Sequence, residues 1–96
     1  MRLSERLRAL IKSGIIHSFG DVEIYLFGSR TDDSLRGGDI DIAIKTDLPR
    51  TLFRRKKAEF FAYLIRRGYD LKIDLVPYNR DDPLLFEEIS KNKILL

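Results

Sequence analysis

Apolar residues first recur at helical spacing, at Leu3, Leu7, Leu10 and Ile11, with Ser4 in place to cap the start and Gly14 where a left-handed residue would stop the helix. The period then changes. Val22-Glu23-Ile24-Tyr25-Leu26-Phe27, introduced by the turn pair Gly20-Asp21, is rich in branched and aromatic residues and predicts a strand that ends at Gly28. Positions 29–38 are polar, include Gly37-Gly38 and suit a loop. From Asp39 to Lys45 the chain alternates cleanly, placing Ile40, Ile42 and Ile44 on one face and Asp39, Asp41 and Ala43 on the other. Two carboxylates therefore share a strand face.

After Asp47-Leu48-Pro49, positions 50–67 predict a long helix closing at Gly68, with Phe53, Phe60, Phe61, Leu64 and Ile65 as its buried stripe. Asp70 to Val76 reads as a third strand, and Pro77, with no N–H to give, should end its ladder. Asp82-Pro83 is a cap and first position for a last helix through about Lys91, with Leu85, Phe86 and Ile89 inward. Ile94-Leu95-Leu96 is either an added edge strand or a patch for a partner, and so short a run has no period to choose between them. The order of elements predicts an α/β or α+β fold, a small sheet with helices packed on it.

With 96 residues the chain is expected to form a single domain, 1–96, with one core. No apolar run approaches the roughly 20 residues of a membrane span, and Met1-Arg2-Leu3-Ser4-Glu5 has no signal-peptide core, so a cytoplasmic protein is expected. There is no cysteine and only one histidine, His17, which stands between the first helix and the first strand without a motif. Thiolate and zinc sites are excluded, so any metal must sit on carboxylate oxygen, which suits Mg²⁺ or Mn²⁺. The net charge of +3 is compatible with a polyphosphate ligand, RNA or an acidic partner.

Joining an oxygen nucleophile to a phosphate that is already anionic calls for cations, and two metal ions about 3.5–4 Å apart can acidify the attacking hydroxyl and neutralise the leaving pyrophosphate. Asp39 and Asp41, i and i+2 on a strand, would lie about 6.5–7 Å apart, near enough to bracket such ions and near enough to repel without them. The bland alternative is the polar face of a half-solvated strand. Before them, Gly28 allows a tight turn and close approach of a ligand, Ser29 offers a hydroxyl to phosphate oxygens, and Arg30 adds a guanidinium fork that could equally neutralise Asp32 or Asp33.

The combination Leu26-Phe27-Gly28-Ser29-Arg30 on a strand end, then Asp39-Ile40-Asp41 on the next strand, resembles the signature of the DNA polymerase beta nucleotidyltransferase superfamily. It is most similar to the minimal nucleotidyltransferases, stand-alone domains often paired with HEPN proteins and exemplified by MntA-type antitoxins, over residues 20 to 90. The resemblance implies a polymerase-beta-like fold, a small mixed sheet flanked by helices. It implies that Gly28 and Ser29 contact the triphosphate and that Asp39 and Asp41 bind the metals, with Asp74 in Lys72-Ile73-Asp74-Leu75 as the candidate third carboxylate, for metal and for the proton of the attacking hydroxyl. Read from its alternation with Leu71, Ile73 and Leu75, Asp74 could instead be one more solvated strand residue.

The implied activity moves a nucleoside monophosphate, AMP from ATP, onto a hydroxyl of a partner, with Mg²⁺ (two ions, or Mn²⁺) as cofactor. In the antitoxin members the acceptor is a tyrosine of a HEPN-type helical partner. The alternative is a non-catalytic nucleotide-binding or antitoxin subunit that acts by contact. Arg50, Arg54, Arg55, Lys56, Lys57, Arg66 and Arg67 load one helix, but exposed aromatics to stack on bases are not interleaved with them, so they are read as a solvated face and nucleic-acid binding is not expected. Tyr78 and Asn79 could line a base pocket or simply pack at a strand end. Homo-oligomerisation is left open.

Overall fold

The computed structural model describes residues 4–28 and 40–96. Alternation of branched and aromatic residues builds three strands, β1 (Ile24–Phe27), β2 (Ile40–Lys45) and β3 (Ile73–Tyr78), and a fourth, β4, of two residues (Ile94–Leu95). Helices α1 (Glu5–Phe19), α2 (Arg50–Arg66) and α3 (Pro83–Asn92) complete the described chain. The fold is α+β, three helices and a mixed four-stranded sheet. By internal contacts the chain divides into two compact units.

The first unit holds the sheet and α3. Its strand order is β3-β2-β1-β4, with β1 antiparallel to both β2 and β4 and β2 parallel to β3. On one face Tyr25, Phe27, Ala43 and Tyr78 close over Ile89 of α3, with Val76, Leu85 and Phe86 packed against them. Tyr78 is the hub of this cluster, stacked on Phe86 at 4.8 Å and edge-on to Tyr25 at 5.6 Å. Ile24, Leu26, Ile40, Ile42, Ile44, Ile73 and Leu75 are buried on the other face. The Asp82 carboxylate caps α3 by accepting from the Leu85 N–H at 3.2 Å, with Pro83 pre-set for the first turn.

The second unit is the pair α1 and α2. Ser4 accepts from the Leu7 N–H at 3.1 Å, as the capping pattern predicts, and Ile11, Gly14, Ile15 and Ser18 form a buried stripe at i, i+3, i+4 and i+7. Phe53, Phe60 and Leu64 are the buried residues of α2.

Four expectations are corrected. Helix α1 does not stop at Gly14 but runs to Phe19, and Gly20 at φ 86° is the cap, its N–H bonded to the Ile16 carbonyl at 2.9 Å. Gly14 is there for closeness: a Cβ would lie 3.0 Å from the Phe60 ring and 3.1 Å from that of Tyr63. His17 consequently sits in the last turn of α1, its ring 5.1 Å from Tyr63. Pro77 does not end β3, because β3 is an edge strand and the proline pairs with Ile44 while its missing N–H falls on the open side. Ile65 is 64% exposed and Phe61 only half-buried, so the buried stripe of α2 is narrower than its apolar residues suggest. The two readings left open for the last residues meet one answer at 94–95, a short strand on β1.

Phe60 is fully buried and has little room to retreat. Gly14→Val should therefore lower stability by about 1–3 kcal/mol through overpacking, read as a lower urea midpoint at unchanged slope; an unchanged midpoint would mean that the two helices are not held this closely.

Candidate active site

Antiparallel pairing brings the end of β1 to the start of β2, with Phe27 opposite Asp41. Parallel pairing then sets Asp41 beside Asp74 in register, at the starts of their strands. Register neighbours in adjacent strands share a face and stand about 4.8 Å apart at the backbone. Asp41 is half-buried and Asp74 exposed, whereas Ala43, Val76 and Tyr78, further along the same face, lie under the apolar cluster with α3. The two carboxylates thus begin where the apolar cover ends.

Gly28 follows β1 at φ 75°, in the left-handed region that costs any other residue strain. A Cβ built there would run into the Asp41 carboxylate, approaching its Cγ to 3.0 Å. Backbone and carboxylate are therefore in close apposition at this bend, which only glycine permits. Asp39, Ser29 and Arg30 lie outside the described residues. Among the described residues no cluster of three or more His, Cys, Asp or Glu side chains is assembled, and Asp41 with Asp74 makes two.

The opposite end of the same face carries a polar network that strand patterning alone did not flag. The Tyr25 hydroxyl donates to Glu23 Oε1 at 2.5 Å, and Lys45 Nζ stands 3.8 Å from the same carboxylate. Lys93 Nζ lies 4.8 Å from the Tyr25 ring centre and 5.0 Å from that of Tyr78, and donates to the Tyr78 hydroxyl at 3.3 Å. Tyr78 Oη and Ser90 Oγ are 2.7 Å apart. The bond to Glu23, aided by burial, pushes the Tyr25 phenol up to about 12, and the same bond followed by Lys45 draws the Glu23 carboxyl below its usual range. Hydrogen bonding with Ser90 and then Lys93 lowers Tyr78 despite its burial. Tyr78 is thus a packing residue. Asn79 locks a turn, its Nδ2 donating to the Thr46 carbonyl at 2.8 Å and its Oδ1 accepting from the Asp81 N–H at 2.9 Å.

The sequence profile of the nucleotidyltransferase domain family matches residues 2–96. The chain belongs to the nucleotidyltransferase domain family. Among solved structures, a mutant form of the toxin–antitoxin MntA–HpeT is similar at TM-score 0.64 and 22% identity, over 93% of this chain and 69% of that one. A toxin–antitoxin structure with AMP-PNP is similar at TM-score 0.68 and 21% identity, over 91% and 69%. At these identities the likeness is one of fold, and it agrees with the resemblance to minimal nucleotidyltransferases. A comparison with curated proteins returns no match. No helix among the described residues of this nucleotidyltransferase domain is long and apolar enough to cross a membrane.

Two outcomes test this geometry. Gly28→Ala should cost about 1–3 kcal/mol for the positive φ alone, with the collision at Asp41 added, and a variant as stable as the parent would remove Gly28 from the site. For Tyr25, the neutral phenol is the favoured form in the folded chain, so stability from the Glu23 bond is complete below the ordinary 10.0 and is lost as pH rises through about 12. In ultraviolet titration Tyr25→Phe should delete the highest phenol step; persistence of that step would assign it elsewhere.

Proposed function

We infer that this nucleotidyltransferase domain, acting as one domain over 1–96 in the cytoplasm, transfers AMP from ATP to a hydroxyl of a helical partner protein of HEPN type, as the antitoxin of a toxin–antitoxin pair. The observation that carries the reading is the in-register pair Asp41 and Asp74 beside the glycine bend at Gly28. Side-by-side carboxylates repel, by about 1 kcal/mol in water and about 4 where the medium is less polar at 4 Å separation. An all-oxygen donor set of this kind fits Mg²⁺ or Mn²⁺.

Asp39, Asp41 and Asp74 would hold the metal, two Mg²⁺ ions in the full site. When bound, the ions supply charge neutralisation on the triphosphate and a lowered pKa of the acceptor hydroxyl. Gly28 and Ser29, with Arg30, bind the triphosphate. The acceptor oxygen forms a bond to the α-phosphorus, the bond from that phosphorus to pyrophosphate breaks, and Asp74 takes the hydroxyl proton. Fold-level similarity to the MntA–HpeT toxin–antitoxin and to a toxin–antitoxin structure with AMP-PNP supports both the partner class and the nucleotide.

The protein incubated with Mg²⁺, α-labelled ATP and the product of its neighbouring gene should pass label to that partner. Asp74→Asn should slow transfer by ~10²–10⁴-fold, the range for a lost general base, and Asp41→Asn should do no less, while both still bind the partner. Absence of transfer with all four nucleoside triphosphates would overturn the reading, and neutralisation of the partner that survives Asp41→Asn would replace it with inhibition by contact.

A further inference from the structure

Helix α2 breaks two local rules of helix chemistry at once. Its N-terminus has no side-chain cap and no acidic residue in the first turn, and instead begins Arg50-Thr51-Leu52-Phe53-Arg54-Arg55. The positive end of a helix dipole disfavours cations there. Positions 50–67 hold seven of the chain's 18 basic residues against one carboxylate, Glu59. Among the described residues none of Arg54, Arg55 or Arg66 has an ion-pair partner. Locally unfavourable choices of this kind point to a use outside the fold.

Between these arginines the helix carries a second apolar seam, distinct from the buried stripe of Phe53, Phe60 and Leu64. Ala58, Phe61, Ala62 and Ile65 stand at i, i+3, i+4 and i+7, with Ala58 exposed, Phe61 and Ala62 half-buried and Ile65 64% exposed. Arg54 precedes Ala58 by four residues and Arg66 follows Ala62 by four, so charge borders the seam at both ends. Two alanines leave room for another helix to approach to the usual 8–10 Å.

We propose that the Ala58–Phe61–Ala62–Ile65 seam of α2, with its arginine border, is a docking surface for an acidic amphipathic helix of a partner protein. Apolar anchors at this spacing are how a helix is gripped, and unpaired arginines select a partner with carboxylates beside its apolar positions. A second copy of this chain would bring like charge onto like charge. A nucleic acid would use the arginines and leave the seam idle, because no exposed aromatic stands among them to stack on bases. The surface is argued from α2 alone and stands whether or not the carboxylate site transfers a nucleotide; peptide binding reads the one, label transfer the other.

The probe is a synthetic helical peptide with Leu and Ala on one face and Glu beside them, followed by fluorescence anisotropy at low salt. Binding is expected at ~10–100 µM, weakened about tenfold or more by Ile65→Glu and separately by the double change Arg54→Glu and Arg55→Glu, with the thermal midpoint no lower for the double variant, because carboxylates suit the positive end of the helix. Equal binding of a scrambled peptide of the same composition would reduce the surface to ion exchange and overturn the proposal. So would no binding at all, tighter binding of single-stranded RNA that ignores Ile65→Glu, or self-association that Ile65→Glu abolishes.

Discussion

Parallel pairing of β2 with β3 is the constraint on which the candidate site depends. Register in a sheet is all or nothing: a slip of one residue would send Asp74 to the opposite face and bring Ile73 or Leu75 beside Asp41. The slip is opposed by burial. Ile40, Ile42, Ile44, Ile73 and Leu75 all lie on the far face, each contributing about 1.5–3 kcal/mol when fully buried. That sum exceeds the few kcal/mol by which adjacent carboxylates repel, and the repulsion falls toward its lower limit because Asp74 is exposed. Hydrophobic burial therefore imposes a charge arrangement that the charges themselves oppose.

The same face of the sheet is divided along its length. At one end Tyr25, Ala43, Tyr78 and Ile89 pack, and hydroxyls, Glu23 and Lys93 close over their rims. At the other end Asp41, opposite Phe27 and against Gly28, stands beside Asp74. Rigid support at one end of a strand holds the charged side chains at its other end.

Much of this was legible before any coordinates. Strict alternation from Ile40 to Lys45 and at Ile73-Asp74-Leu75 told which of these residues share a face, because a period of two leaves no choice. The capping roles of Ser4 and Asp82 followed from their hydroxyl and carboxylate at helix starts. What stayed hidden depended on partners distant in sequence. Gly14 has the signature of a helix stop and is in fact a contact point for Phe60, a fact about another helix. Pro77 breaks a ladder only if its N–H side faces a strand, and nothing local says that β3 lies at the edge. Tyr25 and Tyr78 gave β-propensity and no hint of the Glu23, Ser90 and Lys93 contacts that span the unit.

Helix α2 shows the same limit from the other side. Its apolar residues are too many for one stripe: Phe53, Phe60 and Leu64 fill the buried face, and Phe61 and Ile65 are left over at positions turned away from it. Periodicity counts apolar residues without saying how wide a face the core can accept, so both were expected inside. A surplus apolar seam costs solubility, and arginines at an uncapped N-terminus cost helix stability. Two separate costs on one helix are hard to reconcile with a merely solvated surface, whereas a partner that buries the seam and answers the charge offsets both at once.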